Sequence, residues 1–416
     1  MEPNPLASGA DLSDIVLNTI RTRRDLHRWR DSNQHGEDMH SAIDVLEAHR
    51  TGTDPKMFFQ ITQKALMSSL RVIMRADDSS GIIGSAVDRL LELHPSAALA
   101  AQTPPSKLVE WMINFQFHSE ADFFTLDIVE YAPALGEKGL ELYRRRLADI
   151  RASLGPKPSE DERWRSSHTH EWFTLEHNDR RLAVLDRNIA EIIRTHARDQ
   201  RVAAWLTDTS KAFLEIGETE LAIEWAKRAT DHDRGHQSRS AAANWLTLLA
   251  EHQPEQLLEA THYVFLRWPS SFYAVQLRDR AGSRWPEFRE EVETHLKTQP
   301  DEAVRFAIAD GDPSRALELA HELGPIDTMT VQELAKALDK DDPVAALDLH
   351  TELVNGMLIE ANANNYRAAA VRLKHMTKVA QGTGLEQHVE ELITFLREEH
   401  RRRPRLQQEF DKAGLP

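Results

Sequence analysis

No cysteine occurs in the 416 residues. That excludes disulfides, thiolate nucleophiles and every zinc site built on thiolates, and it fits a reducing compartment. No stretch approaches the ~18 uncharged apolar residues of a membrane helix. The opening stretch, Met1 to Asp14, lacks the cationic start and apolar core of a signal peptide, so the expected location is cytoplasmic. Positive charge is in short supply: 51 Lys and Arg stand against 67 Asp and Glu, a net charge of −16. General binding to nucleic acid or an anionic membrane needs clustered positive charge, so neither is the expected partner. A glycine-rich phosphate loop, a Gly-x-Ser-x-Gly elbow and a dinucleotide fingerprint are all missing. No cofactor is expected.

What is present is helix. Apolar content of 41% and charged content of 28% mark a chain able to fold. From Asp14 onward apolar residues recur in steps of three and four, and alternating strand patterns are nearly absent. The stripe Phe117, Ala121, Phe124, Ile128, Tyr131, Leu135 is one example, followed by a helix from Leu140 to Ile150. A short phrase also returns. Gly217-Glu218-Thr219-Glu220-Leu221-Ala222-Ile223-Glu224-Trp225-Ala226 reappears as Gly311-Asp312-Pro313-Ser314-Arg315-Ala316-Leu317-Glu318-Leu319-Ala320, with weaker copies starting at His252, Asp341 and Asn364. A turn residue, then an acidic cap, then small and large apolar residues on one face describe the second helix of a hairpin. The starts lie 35, 59, 30 and 23 residues apart, a degenerate repeat near the roughly 30–35 residues of tetratricopeptide arrays.

The expected fold is therefore all-α, a TPR-like α-solenoid of stacked helical hairpins. A solenoid accommodates 416 residues without a single giant core, because each unit packs on its neighbours. Residues 1–13 read as a flexible arm and 14–153 as an N-terminal helical subdomain. In 154–160, Pro156 and Pro158 deny the helix its donors and mark a linker. Residues 161–416 read as the repeat region, its first stripe running through Trp164, His168, Trp172 and Leu175.

From about Asp199 onward the chain resembles the helical C-terminal region of bacterial SWIM-zinc-finger proteins and related stand-alone TPR-like helical proteins of unknown function. The likeness rests on Ala212-Phe213-Leu214-Glu215-Ile216-Gly217 with Ala222 to Ala226, and on Leu266-Arg267-Trp268-Pro269 and Arg284-Trp285-Pro286-Glu287-Phe288-Arg289. It extends to Asn365-Tyr366-Arg367-Ala368-Ala369, and to Arg401-Arg402-Arg403-Pro404 with Asp411 to Leu415. Asp122-Phe123-Phe124 through Leu140 resembles the stand-alone relatives. The likeness covers about three quarters of the chain. It implies the helical scaffold. The SWIM motif itself needs three cysteines and a histidine, so no zinc finger and no site residue carries over.

The remaining candidates are clusters. His168, His170 and His177 have the ligand types of a divalent metal site, but His170 and His177 share a helical face while His168 points onto the apolar stripe. His232 and His236 sit with Asp231 and Asp233 in an interhelical loop that could hold an ion or simply be a solvated turn. Trp205, Trp225 and Trp245 read as filling between hairpins, whereas Trp268 and Trp285, beside prolines, are candidates for partial exposure and binding. Arg144-Arg145-Arg146 and Arg401, Arg402, Arg403 with Arg405 could grip phosphate. The plainer reading is a basic helix end facing the negative pole of the dipole.

The leading functional expectation is a noncatalytic helical-repeat scaffold that mediates protein–protein interaction with a basic or neutral partner. One rival is a nucleic-acid-linked accessory protein using the arginine runs. The other is a metal-dependent enzyme, which requires His, Asp or Glu side chains from separate helices to meet in one place.

Overall fold

The computed structural model describes residues 9–118, 123–159 and 166–416. By its internal contacts the chain divides into two units, 1–225 and 226–416. The helices of the first are α1 (Gly9–Ile20), α2 (Trp29–Ala48), α3 (Pro55–Ile73), α4 (Ile82–Ala100), α5 (Pro105–His118), α6 (Ile128–Leu154), α7 (Thr169–Leu185), α8 (Ile189–Ile192) and α9 (Ala203–Glu215). The division falls within α10 (Thr219–Asp231). There follow α11 (His236–His252), α12 (Leu257–Arg267), α13 (Ser271–Ala281), α14 (Arg289–Leu296), α15 (Pro300–Ala309) and α16 (Pro313–Leu323). The last five are α17 (Thr328–Leu338), α18 (Pro343–Ile359), α19 (Ala363–Ala380), α20 (Glu386–Glu399) and α21 (Pro404–Ala413). Among the described residues one isolated β-bridge, Leu26 to Ala76, is the sole strand-type pairing. The fold is all-α, as the spacing predicts.

In the first unit α1 to α7 share one buried cluster that runs from Leu12 to Leu175. It holds two polar inclusions. Tyr143 donates to Asn178 Oδ1 at 2.5 Å, Asn178 Nδ2 donates to Gln116 Oε1 at 3.0 Å, and Gln116 Nε2 donates back to the Tyr143 oxygen at 2.8 Å. The ring satisfies all three buried side chains, which would otherwise cost about 1–3 kcal/mol each. The second inclusion is His94, fully buried, stacked on Trp111 at 4.2 Å and bonded through Nδ1 to the Tyr131 hydroxyl at 2.9 Å.

The second unit is built by succession. Helix pairs α15–α16, α17–α18 and α18–α19 pack as neighbours, and α13–α15 and α15–α17 contact at one remove. The repeated phrase has a local cause. Gly217 and Gly311 both adopt positive φ, 78° and 81°, which only glycine takes at little cost. Each closes the preceding helix with the same pair of bonds. Gly217 N donates to Leu214 O and Glu218 N to Phe213 O; Gly311 N donates to Ile308 O and Asp312 N to Ala307 O. In the copies at 311 and 341, though not at 217, the next helix starts on an aspartate cap with proline in its first turn, Asp312-Pro313 and Asp342-Pro343, each carboxylate accepting from the backbone N–H three residues on. Ala222 and Ala316, the small positions of the phrase, are fully buried, while Glu224 and Glu318 are exposed.

Three boundaries differ from expectation. Part of the arm, residues 1–8, and the chain at Ala121 and Trp164 lie outside the described residues, but 9–13 already belong to α1. The helix ends at Leu154, before the prolines, with Gly155 at φ 77°, and the described residues 155–159 are not helical. The stretch does not separate two cores, because α6 and α7 on either side pack together and Trp172 and Leu175 join the same cluster. The helix expected from Leu140 is the far arm of α6, which kinks at Gly136 with φ 57°.

Candidate functional site

Of the histidines singled out in the sequence, His168, His170, His177 and His232 each engage a group of the chain. His170 Nε2 lies 2.9 Å from Gln116 O and His177 Nε2 lies 3.1 Å from Leu126 O, so each ring ties α7 to a different backbone carbonyl. Burial pushes His177 below its ordinary value, opposed by that carbonyl. His168 does not face the apolar stripe. It precedes the first turn of α7, half-exposed, with Nδ1 at 3.3 Å from Glu171. The loop holding His232 and His236 is wired as a turn. Asp233 accepts from Gly235 N at 2.7 Å and Ser238 Oγ at 2.7 Å, and Asp231 accepts from the Tyr263 hydroxyl at 2.6 Å. Arg267 donates to Asp231 O and Asp233 O, while His232 Nδ1 lies 3.3 Å from Asp233 and His236 is exposed.

The other candidates are likewise engaged. Trp268 is half-buried; its Nε1 donates to Arg234 O at 3.2 Å and its ring lies under Arg267. Trp285 is half-buried against Phe306, and Trp225 and Trp245 are core residues. Arg401 pairs with Glu398, Arg403 Nη1 donates to Leu358 O at 2.7 Å, and Arg405 pairs with Glu409 at 2.9 Å. Arg402 is exposed. In the first unit, Arg144 grips Asp186 through both terminal nitrogens and Arg145 pairs with Glu141.

Among the described residues, the one place where three His, Asp or Glu donors from different helices meet was not singled out in the sequence. Asp339 at the end of α17, His350 of α18 and His375 of α19 bring one ligand atom each within 4.8 Å of one another. The carboxylate lies between the two rings: Oδ1 is 3.0 Å from His350 Nε2 and Oδ2 is 2.7 Å from His375 Nε2. The rings stand edge to face at 5.2 Å. Arg372 Nη1 donates to His350 Nδ1 at 3.0 Å, and its Nη2 donates to Gln332 Oε1 at 2.9 Å. Guanidinium is never an acceptor, so His350 Nδ1 carries a lone pair and Nε2 carries the proton given to Asp339. His350 is 2% exposed and His375 44%, so the cluster is closed on one side and open on the other. Burial lowers the His350 pKa, Asp339 opposes, and Arg372 and His375 add to the lowering.

One sequence signal pointed here. His350 lies three residues after Leu347 and four before Val354, on the buried face of α18. A histidine in a core register needs a polar partner. Asp339 is concealed in the capping run Asp339-Lys340-Asp341-Asp342, and nothing about His375 in sequence marks it.

Two cavities of about 500 Å³ in the first unit are lined by acidic groups, one by Asp25, Asp31, His35 and Asp38, the other by Asp88, Glu92, Asp127 and Glu130. A 150 Å³ pocket in the second unit has Leu296, Phe306 and Leu319 in its lining, with Arg289 and Arg315 beside them. Those cations pair with Glu293 and Glu318.

A family model matches residues 14–406, that of DUF6880, described as a family of unknown function. The chain belongs to this family. No curated protein matches it. Among solved structures, a "circular tandem repeat protein with novel repeat topology and enhanced subunit contact surfaces" is similar over 97% of this chain and 94% of that one, at 12% identity and a TM-score of 0.16. No helix among the described residues is long and apolar enough to cross a membrane.

Proposed function

We propose that this member of the DUF6880 family is a noncatalytic helical scaffold whose second unit presents apolar side chains to a protein partner. One contrast carries the reading. The polar groups that sequence marks as candidate ligands are largely consumed inside the chain, while large apolar groups are left open. Phe272, Met329, Val344, Ile359, Val371 and Phe395 are all more than half exposed, Ile359 at 79%. Isolated apolar residues are ordinary on any surface, and the first unit has two more than half exposed, Trp29 and Phe123; the six of the second unit, on α13, α17, α18, α19 and α20, are apolar anchors of the kind helical recognition uses. The net charge of −16 favours a basic or neutral partner, because complementary fields speed encounter. Pairing of Arg401, Arg403 and Arg405 within the chain counts against the nucleic-acid reading.

The test is affinity purification of the tagged full-length chain from its native cells. A stoichiometric protein should accompany the wild type and be lost from an Ile359→Asp, Val371→Asp double variant that melts like the wild type. A Trp29→Asp control, altered at an exposed aromatic of the first unit, should retain it. Absence of any stoichiometric partner, or its retention by the double variant, overturns the proposal.

A further inference from the structure

The geometry points to a binding site for one divalent transition-metal ion, of the zinc class, on Asp339, His350 and His375, occupied in competition with the Arg372–His350 hydrogen bond. This goes beyond scaffolding and does not depend on it.

The ligand set is right in kind and number. Two imidazoles and a carboxylate are oxygen and nitrogen donors that zinc and its neighbours accept, and three protein ligands with one open position make a recurring site. The spacing is close to right. With bonds of about 2.0–2.1 Å, two ligands of one tetrahedral zinc stand roughly 3.3 Å apart. The carboxylate oxygens already lie 3.0 and 2.7 Å from the two Nε2 atoms. All three donors fall within 4.8 Å, so small side-chain movements bring them onto one ion. The half-exposed His375 gives the ion a way in and leaves a coordination position for water. Three successive helices supply the ligands, each fixed by its own packing: α17 and α18 are neighbours, as are α18 and α19.

Arg372 decides the rest. A metal on His350 Nε2 needs the lone pair there, so the ring proton must move through solvent from Nε2 to Nδ1. Nδ1 then carries a hydrogen and faces Nη1 of Arg372, donor against donor, at the present 3.0 Å. Arg372 has to leave the ring for the metal to bind. Its hold is imperfect: Nε is buried with no hydrogen-bond partner, and apart from the Nη1 bond to His350 only Nη2 is tied, to Gln332. Metal-bound histidines ordinarily donate their second N–H to an acceptor, and loss of that partner typically changes affinity 10–100-fold. Here the second partner is the wrong polarity. A glutamine at 372 would supply an oxygen acceptor in place of a cation.

Zinc titration of the metal-stripped full-length protein by calorimetry tests this. The wild type should bind one equivalent. His375→Ala and Asp339→Asn should each weaken binding by at least about tenfold, and Arg372→Gln should tighten it by about 10–100-fold. His232→Ala, on the loop already described, should bind like the wild type. Because Asp339 is largely buried, a zinc-dependent rise in Tm serves as the second readout: present in wild type, larger in Arg372→Gln and absent in His375→Ala, whose side chain is half-exposed. No binding at millimolar zinc, or His375→Ala binding as tightly as wild type, overturns the site. An Arg372→Gln affinity equal to or weaker than wild type overturns the competition.

Discussion

Helices α1 to α7 of the first unit share one large core, whereas toward the end of the second unit the buried residues fall into separate clusters. In the first, α1 to α7 contribute to a single cluster into which polar groups are sealed: the Gln116–Tyr143–Asn178 ring and His94 against Trp111. In the second, Val331, Ala335 and Leu353 form one small cluster and the residues from Leu347 to Leu415 another. The difference teaches where stability is pooled and where it is local. A pooled core transmits damage; a succession of neighbour contacts contains it.

Core truncation gives the largest expected effect. Phe410→Ala, at a fully buried ring of the C-terminal cluster, should cost about 3–5 kcal/mol of local stability. Hydrogen exchange should show the loss in α19 to α21 and spare α11 to α13. Met112→Ala, fully buried in the first unit, should cost about 2–5 kcal/mol and raise exchange throughout α2 to α7. Exchange that spreads equally far in both variants would erase the distinction.

Acid should find the first unit through His94. Burial lowers its pKa to about 3. The unfolded chain takes up this proton near 6.5, so between those values the unfolded state binds more protons and stability falls as pH falls. The slope from a single such group approaches about 1.4 kcal/mol per pH unit. His196, lowered to about 4 by burial, adds to it. His94→Gln should be less stable at pH 7 yet lose less between pH 6 and 4, measured by denaturant melts at each pH. An unchanged slope would mean that His94 is protonated in the folded state.

Overpacking is the smaller effect and compares one position in each unit. Ala222→Trp and Ala316→Trp insert an indole at fully buried sites and should each cost about 1–3 kcal/mol. Glu224→Trp and Glu318→Trp, on the exposed face, should stay within about ±0.5 kcal/mol. Equal melting of the alanine and glutamate variants would break the repeat register.

That register was legible because its determinants are local. Gly311 must close α15 and Asp312 must open α16 whatever surrounds them, so the pair is visible in ten residues. The linker expected at 154–160 shows the complementary case, since α6 and α7 on either side share one core. Prolines report where a helix stops, not whether the helices on either side pack together. The candidate site was the least legible. Asp339, His350 and His375 lie 11 and 25 residues apart on three helices, and each alone reads as a cap, a core histidine and a surface histidine. Their meeting is a product of helix succession, which no spacing rule for one helix encodes. Conversely, the adjacent histidines His168 and His170 drew attention through proximity in sequence and prove to point at unrelated partners.

The account turns on the second unit as a presenting surface, and site-specific photocrosslinking in native cells addresses it most directly. A photoreactive residue placed singly at Met329, Ile359 and Val371 should trap the same discrete partner, and one placed at exposed Arg146 of the first unit should trap none of it. Crosslinks of equal yield at Arg146, or none at the three apolar positions, would contradict it.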